Sequence, residues 1–373
     1  MIVGVLKEPA FESRVSLLAE SVTALVKKKI EVWIEAGAGV KAYCGDDDYI
    51  KAGAVLRSRE ELLAGADILL SIHYNDIPAT FGHKILIGVY QPLFNHAHLP
   101  VWAKQHITSF SLDMLPRTTR AQSMDVLSSQ ANIAGYKAIL LAAEKSPRYF
   151  PMLMTAAGSI APAKVLILGA GVAGLQAIAT ARRLGAVVEV FDTRPAVKEE
   201  VMSLGGKFIE VPGAADASKA GGYAVEQSAD FQLRQQEKIA ESIARADVVI
   251  TTAQIPGKRA PVLVTSSMIG AMRKGSVIID LAAATGGNTD VTKNNETVVY
   301  HGVTIVGDSS LPSSMPYDAS KLYGKNVLNF LQLITGKEGQ LNLDFSDDLV
   351  KGCCITYNGE VVHEKLRAVS DKP

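Results

Sequence analysis

Cysteine is scarce in this chain, and charge of either sign is not in excess. Only Cys44, Cys353 and Cys354 occur among 373 residues. An odd count with two adjacent members does not suit a disulfide framework, so the composition fits a reducing cytosol. The 38 basic and 38 acidic residues give a formal net charge of zero. The chain therefore has no basic field that would hold nucleic acid or an anionic membrane by charge alone.

Signatures of metal and nucleophile catalysis are also missing. No HExxH or GxSxG motif occurs, and the seven histidines show no convincing ligand spacing. His83, His96 and His98 lie close together without a cysteine partner, so we interpret them as scattered surface histidines. We expect no metal site.

One apolar stretch, residues 159–181, could be mistaken for a membrane span. It contains Pro162, Lys164 and a glycine turn, which favour a strand followed by a helix in a water-soluble domain. The first residues lack the form of a signal peptide. Hydrophobic residues make up 48% of the chain, enough for a large core, and the length suits two domains. We do not expect the chain itself to cross a membrane.

The most informative stretch runs from residue 164 to residue 176. An apolar strand is followed by Gly169, Gly171 and Gly174 in the order GxGxxG, and then by a helix. In this pattern the first glycine permits a tight turn and the second lets a pyrophosphate approach the backbone. The third lets the helix pack close to the strand. The start of the helix offers N–H groups and a positive dipole end to the pyrophosphate.

An acidic residue follows at the position that a dinucleotide site requires. The strand Val187 to Phe191 ends at Asp192, 18 residues after Gly174, where a carboxylate accepts both hydroxyls of the adenosine ribose. These features predict a site for NAD, and the alternative is a tight turn without a ligand. Arg194 leaves open that a 2′-phosphate binds instead.

Strands and helices alternate along both halves of the chain, which predicts parallel sheets with helices on both faces. The expected fold class is α/β, with two doubly wound, Rossmann-like domains joined by long helices. Residues 1–129 and 311–373 form the first domain, and residues 130–310 form the domain with the dinucleotide. We expect six strands in that second domain. The segment 213–232 is long enough to be a lid or a disordered loop. Thr252 and Gln254 follow a strand at the edge where ligands bind.

A polar row precedes the second domain. We predict one long helix from Arg117 to about Glu144. Its buried side would carry Met124, Leu127, Ala131 and Ala134. Gln122, Asp125 and either Ser128 or Ser129 would lie on another side. This row could line a cleft between domains, and the alternative is an ordinary solvated face.

Seven segments together closely resemble the NAD(H)-binding component of proton-translocating nicotinamide nucleotide transhydrogenases. They are RxxRAQSMDxLSSQ at 117–130, GAGVAG at 169–174, DTR at 192–194, AGGY at 220–223, IPGKRAPV at 255–262, DLAAATGGN at 280–288 and LYGKNVLN at 322–329. The resemblance covers nearly the whole chain. It implies direct hydride transfer between NAD(H) on this component and NADP(H) on a separate one, coupled to proton translocation.

The resemblance also implies roles for individual residues. The hydride-site residues of the family correspond to Arg117, Gln122, Asp125 and Ser128, and the tyrosine of its mobile loop corresponds to Tyr223. The expected NAD(H) contacts are Gly169, Gly171, Val172, Gly174, Asp192, Thr193, Arg194, Gly222, Tyr223, Thr252 and Gln254.

Partners and location follow from the same resemblance. It implies an NADP(H)-binding component, a membrane-spanning component that carries the proton channel, and a homodimer. The chain would then be cytoplasmic and peripheral on the inner face of the plasma membrane, held there by its partner subunits. The end at Pro373 resembles the form of the enzyme whose α subunit is split into separate polypeptides, and a truncated chain would look the same.

Alanine dehydrogenases are the nearest alternative, because they share the two-lobed fold and the residues Lys7, Glu8 and Arg14. Their substrate-binding lysine corresponds to Ser71 and their aspartate to Ala284, although His98 falls near the place of their histidine. Loss of two of the three residues argues against amino-acid oxidation. A third interpretation is a catalytically silent NAD-binding regulator, since no acid–base pair can be recognised.

Overall fold

The computed structural model describes residues 1–73, 82–213, 228–336 and 338–370. Two compact units divide the chain. Unit 1 comprises Met1–Gln130 and Pro312–Pro373, and unit 2 comprises Ala131–Leu311. The predicted α/β class with two Rossmann-like folds is confirmed, because each unit is built on one large, mainly parallel sheet.

The strands are, in chain order, β1 (Ile2–Val5), β2 (Glu31–Glu35), β3 (Val55–Arg57), β4 (Ile68–Leu70), β5 (Ile85–Gly88), β6 (Thr108–Ser111), β7 (Leu153–Thr155), β8 (Gly158–Ile160), β9 (Lys164–Leu168), β10 (Val187–Phe191), β11 (Lys207–Phe208), β12 (Val248–Thr251), β13 (Val277–Asp280), β14 (Thr297–Tyr300), β15 (Val303–Val306), β16 (Cys354–Tyr357) and β17 (Glu360–Val361). The α-helices are α1 (Ala19–Val26), α2 (Asp46–Lys51), α3 (Arg59–Gly65), α4 (Leu99–Lys104), α5 (Val126–Lys145), α6 (Val172–Arg183), α7 (Lys198–Ser203), α8 (Ala229–Ile243), α9 (Ser266–Gly270), α10 (Pro316–Leu333), α11 (Asp348–Cys353) and α12 (Glu364–Ser370).

The sheet of unit 1 has the order β17-β16-β6-β5-β4-β1-β2-β3. Strands β1 to β6 are parallel, whereas β16 runs antiparallel to β6 and forms a hairpin with β17. The hairpin turns at Asn358-Gly359, and both of these residues have positive φ, as a two-residue turn of this type requires. The strand order reverses between β1 and β4, which places a crevice beyond their carboxyl ends.

Hydrophobic cores cover both faces of the unit 1 sheet. Val5 and Leu70 pack with residues of α1 and α10 on one face. Leu69 packs with residues of α3 and α4 on the other, where Trp102 is fully buried. Successive side chains of a strand point to opposite faces, so the apolar runs of β1 and β4 supply both cores.

The sheet of unit 2 has the order β11-β10-β9-β12-β13-β15-β14. Val165 and Ile167 of β9 pack with α5, α6 and α7, and Leu166 and Leu168 pack on the opposite face with α8 and α9. A central parallel strand that is buried on both faces is expected to be apolar at every position. The order reverses between β9 and β12, and the glycine turn follows β9 directly.

Strand β14 was not predicted, so our expectation of six strands in this unit was wrong. It runs antiparallel to β15 at the edge of the sheet and alternates exposed with partly buried residues. An edge strand that is buried on one face has a weak apolar pattern, which is why sequence reasoning missed it. Among the described helices, none has the length and apolar character that crossing a bilayer requires.

Candidate functional site

The first predicted site is the turn between β9 and α6 in unit 2. Gly169 has φ +107, and a Cβ at this position would lie 2.3 Å from Thr252 Oγ1. A Cβ on Gly174 would lie 1.9 Å from the carbonyl oxygen of Gly169. No side chain fits at either position, so both glycines are required by the tight turn and by the close approach of the helix to it.

Gly171 differs from the other two glycines. Its backbone angles are ordinary for any residue, with φ −78 and ψ −170, and a Cβ would meet no heavy atom within 4 Å. It caps α6 without a side chain, and Val172 beside it is 40% exposed. The first-turn N–H groups of a helix have no intrahelical partners. The open space above Gly171 is therefore bordered by hydrogen-bond donors and fits the approach of an anionic group.

Asp192 lies at the end of β10 and is bound to the glycine turn. Its Oδ2 accepts the N–H of Ala170 at 2.7 Å. Its two oxygens also accept the backbone N–H, Nε and Nη2 of Arg194 at 2.8, 2.9 and 2.8 Å. The Asp192 side chain is only 6% exposed. These hydrogen bonds to Asp192 raise the pKa of the Arg194 guanidinium.

The structure brings other predicted residues of unit 2 to the same edge. Thr252 follows β12 and donates from Oγ1 to the carbonyl of Gly169 at 3.1 Å. Gln254 donates from Nε2 to the carbonyl of Leu281 at 2.9 Å, beyond the end of β13. Thr193 is partly buried between its neighbours. Gly222 and Tyr223 lie outside the described residues.

Asp280 was not among the predicted site residues, yet it organises the loop that follows β13. It is fully buried and accepts the N–H of Asn288 at 2.7 Å and the hydroxyl of Thr292 at 2.6 Å. Asn288 in turn binds the backbone of Ala253 and Pro261 through its side chain. This network fixes the loops at the ends of β12 and β13. The sequence signal for this network was Asp280, a carboxylate at the end of an apolar strand, followed eight residues later by Asn288.

The polar row of unit 1 does not lie on one helix, so that prediction was wrong. Residues Thr119–Met124 form a 3-10 helix, and α5 begins only at Val126. Between them Asp125 has φ −74 and ψ 90. Its carboxylate accepts the backbone N–H of Ser128 at 2.9 Å and the Ser128 hydroxyl at 2.6 Å. An aspartate that caps a new helix in this way ends the preceding one.

The break also changes which side chains are buried. Met124 is buried as predicted, but Leu127 is 38% exposed and Val126 takes the buried position instead. Arg117 and Gln122 are exposed. Within the part of the chain that the structure describes, the Gln122 side chain makes no hydrogen bond. The structure thus brings Asp125 and Ser128 together and leaves Gln122 on a separate turn that faces solvent.

The comparisons with known proteins agree with the predicted resemblance. The model of the alanine dehydrogenase/PNT N-terminal domain matches residues 4–134, and the model of the C-terminal domain of the same family matches residues 138–364. The chain belongs to the alanine dehydrogenase/PNT family. The resemblance to transhydrogenases that the sequence motifs indicated is confirmed.

Two relatives resemble it along nearly their full length. The chain is 44% identical over 367 residues to the first part of NAD(P) transhydrogenase subunit alpha of Rhodospirillum rubrum, with 95% of this chain and 96% of the relative covered. The protein of the same name from Rickettsia prowazekii is 41% identical, with 99% of each chain covered. The crystal structure of transhydrogenase from Sinorhizobium meliloti matches with a TM-score of 0.88 at 42% identity, over 97% of this chain and 100% of that one.

A second polar cluster of this alanine dehydrogenase/PNT family member lies in unit 1, beyond the ends of β1 and β4. Glu8 is 8% exposed and accepts the N–H groups of Ile72 and His73 at 2.6 and 3.2 Å. Burial raises the pKa of Glu8 to about 7, although the hydrogen bond from Ile72 opposes this. Glu8 is therefore a carboxyl group that changes its charge near neutral pH.

Arg14, which the resemblance to alanine dehydrogenases singled out, is held by neighbouring side chains. Its Nε and Nη2 donate to Glu12 at 2.9 and 2.6 Å, and its Nη1 donates to Gln130 at 2.8 Å. Glu12 also binds Nε2 of His73 at 2.7 Å. Burial opposes ionisation of Glu12, but the hydrogen bonds from Arg14 and His73 hold its pKa well below the usual range. Sequence reasoning named Arg14 and missed both of its partners.

Ser71, to which the resemblance assigned the position of the substrate-binding lysine, also lies in this cluster. Its hydroxyl shares a hydrogen bond of 3.2 Å with the buried hydroxyl of Tyr90. His98 stacks against Trp102 with ring centroids 6.3 Å apart. In the described ranges, no group of three or more His, Cys, Asp or Glu side chains is arranged to hold a metal ion.

Proposed function

We propose that this chain is the NAD(H)-binding component of a proton-translocating transhydrogenase, and that unit 2 is its nucleotide-binding domain. The observation that carries the proposal is the glycine turn. Two of its glycines are required by the turn itself, whereas Gly171 borders open space at a helix start. Full-length identity of 41% and 44% to transhydrogenase subunits supports the same function.

The residues around the turn suit NAD(H). The N–H groups at the start of α6 would bind the pyrophosphate above Gly171. Asp192 would accept the ribose hydroxyls. A carboxylate offers about four acceptor sites, and Asp192 already accepts four hydrogen bonds, three of them from Arg194. Ribose binding therefore requires the guanidinium of Arg194 to release part of its pair with Asp192.

The segment from Arg117 to Ser128 would position the nicotinamide. Bound NAD(H) supplies the hydride, and transfer between two nicotinamides moves no proton at the site. The protein has to hold the reacting carbons about 3–3.5 Å apart. Gln122 has both an N–H and a carbonyl oxygen to offer to a carboxamide. Asp125 is fixed by Ser128, so the same pair would present a rigid acceptor, with Arg117 as a neighbouring cation.

The partners belong to the same proposal. NADP(H) would be held by a separate component, and a membrane-spanning component would carry the protons. The chain would work as a homodimer on the cytoplasmic face of the plasma membrane, attached through these subunits. The names of the relatives, which describe the first portion of an alpha subunit, support an assembly of several polypeptides.

The engagement of Arg14 argues against alanine oxidation. An arginine binds a carboxylate best through two parallel N–H groups, and here Glu12 takes the Nε and Nη2 edge of Arg14 while Gln130 accepts one N–H of Nη1. Ser71 and Ala284 stand where the resemblance places the substrate-binding lysine and the aspartate of alanine dehydrogenases, which also argues against alanine oxidation. The regulator alternative differs from the main proposal only in the absence of hydride transfer.

One experiment separates the three functions. The purified chain is mixed with an NADP(H)-binding transhydrogenase component, and transfer from NADH to an NADP⁺ analogue is followed by absorbance. The proposal expects hydride exchange that requires both proteins, and no NADH formation from alanine and NAD⁺. NADH binding without exchange would favour the regulator, and alanine-dependent NADH formation would favour the dehydrogenase.

A further inference from the structure

The turn that carries Gln122 is held in place from outside. Residues Thr119–Met124 form six residues of 3-10 helix, a length that is uncommon because the hydrogen bonds of this helix are poorly aligned. The turn is followed by the non-helical residue Asp125. Its geometry therefore depends on the tertiary contacts that it makes within unit 1.

Two asparagines of α10 bind the backbone of this turn at one atom. The carbonyl oxygen of Ser123 accepts Nδ2 of Asn326 at 2.8 Å and Nδ2 of Asn329 at 2.9 Å. The two asparagines are three residues apart and so lie on the same face of the helix. Ser123 follows Gln122 directly, so these bonds fix the peptide next to the residue that would contact the nicotinamide.

The surroundings of Asn326 indicate that its side chain interacts favourably through the amide N–H and not through Oδ1. Asn326 is 8% exposed, and its Oδ1 is buried without a hydrogen-bond partner in the described residues. An unpartnered buried acceptor lowers stability. The favourable polar interaction at this position is therefore the bond that Nδ2 donates to Ser123.

Other contacts of the turn give less directional restraint. Arg120 donates to Asp347 and Asp348 at 2.5 and 2.8 Å, but Arg120 is 57% exposed. Exposed ion pairs contribute little. Ala121 and Met124 are buried in the core of unit 1, and such apolar contacts are not directional. The paired amides are therefore the contacts that set both the position and the orientation of the peptide.

We infer that Asn326 and Asn329 are positioning residues for hydride transfer, which act by holding Ser123 and thereby Gln122. This inference rests on the proposed function. The two amides share one acceptor, so either of them alone still restrains the carbonyl. Loss of both frees the turn, and a displacement of about 1 Å at a reacting group costs on the order of a hundredfold in rate.

The test uses Asn326→Leu, Asn329→Ala and the double variant, each assayed in single-turnover transfer with the NADP(H)-binding component. We expect each single variant to lose less than about fivefold in rate and the double variant on the order of a hundredfold. NADH affinity, measured by calorimetry, should change by less than about twofold, because the glycine turn is untouched.

A second cycle asks whether the effect passes through Gln122. In a Gln122→Ala background no side chain remains to be positioned, so the double replacement should slow transfer little further. A merely structural role would slow transfer by the same factor in both backgrounds, because independent effects are additive.

Ser320→Ala is the matched control. Ser320 is a buried residue of the same helix, and its hydroxyl accepts the N–H of Val15 at 2.9 Å, away from the turn. This variant should lose stability in urea and keep the transfer rate of the unmodified chain. If the double variant does not fold, Asn326→Ala combined with Asn329→Ala takes its place.

The outcomes distinguish a failure of the proposed function from a failure of the inference on Asn326 and Asn329. If the unmodified chain transfers no hydride with its partner component, the proposed function fails and this inference falls with it. If the unmodified chain transfers hydride and the folded double variant does so at the same rate, only the inference is overturned. Equal slowing with and without Gln122 overturns it as well.

Discussion

The glycine turn gives a prediction in which two similar substitutions have opposite consequences. In Gly174→Ala the new Cβ would lie 1.9 Å from the Gly169 carbonyl, so helix and turn must move apart by about 1 Å. Overpacking of this kind costs about 1–3 kcal/mol. In Gly171→Ala the Cβ meets nothing within 4 Å and φ is already −78. The free energy of unfolding should then stay unchanged or rise by up to about 1 kcal/mol, because alanine restricts the unfolded chain.

Gly171→Ala, the variant that keeps its stability, should lose affinity for the nucleotide. The Gly171→Ala methyl group would occupy the space into which the pyrophosphate approaches. We expect at least a tenfold rise in the Kd for NADH, which corresponds to about 1.4 kcal/mol. Urea unfolding and calorimetry on the same preparations measure both quantities. A Gly171→Ala protein that binds NADH with unchanged Kd would falsify the assignment of this space to the cofactor.

Three further predictions concern other groups. Glu8 has a folded-state pKa of about 7 against an ordinary 4.5, so its stabilising effect is complete below pH 4.5 and is lost as the pH rises through 7. Up to about 3 kcal/mol of unfolding free energy should be lost across this window. Urea titrations at pH 5 and pH 8 should show this loss in the unmodified chain and not in Glu8→Gln. An equal change in the free energy of unfolding between the two pH values in both proteins would contradict it. Gln122→Asn should slow single-turnover hydride exchange on the order of a hundredfold with little change in NADH affinity; lost binding with intact transfer would show that Gln122 is only a binding residue. Calorimetry should show tighter binding of NADH than of NADPH because of Asp192, and equal affinities would refute that role.

Several elements could be predicted from the sequence because their signals are local. Strand β10 begins and ends where predicted, since it is a mainly apolar run that ends at Asp192. The glycine turn was also visible, although its sterics depend on Thr252, which comes from another strand.

Other features depend on contacts that a sequence pattern does not contain. The long helix predicted from Arg117 is interrupted at Asp125. The Asp125 carboxylate caps the start of α5 through Ser128, and this competes with continuation of one helix through Asp125. Nothing in the spacing decides that competition. The engagement of Arg14 depends on Gln130, 116 residues away in the chain. The roles of the predicted site residues remain predictions.

The pairing of Asp192 with Arg194 has a consequence for how nucleotide preference can evolve. An NADP site needs a cation near the 2′-phosphate and no carboxylate beside it. Here the cation is already in place and is held by the carboxylate through bonds to Nε and Nη2. Replacement of Asp192 by a small neutral residue would remove the repulsion and release Arg194 in the same step. If Asp192 binds the ribose as proposed, a change of cofactor preference would require only one substitution.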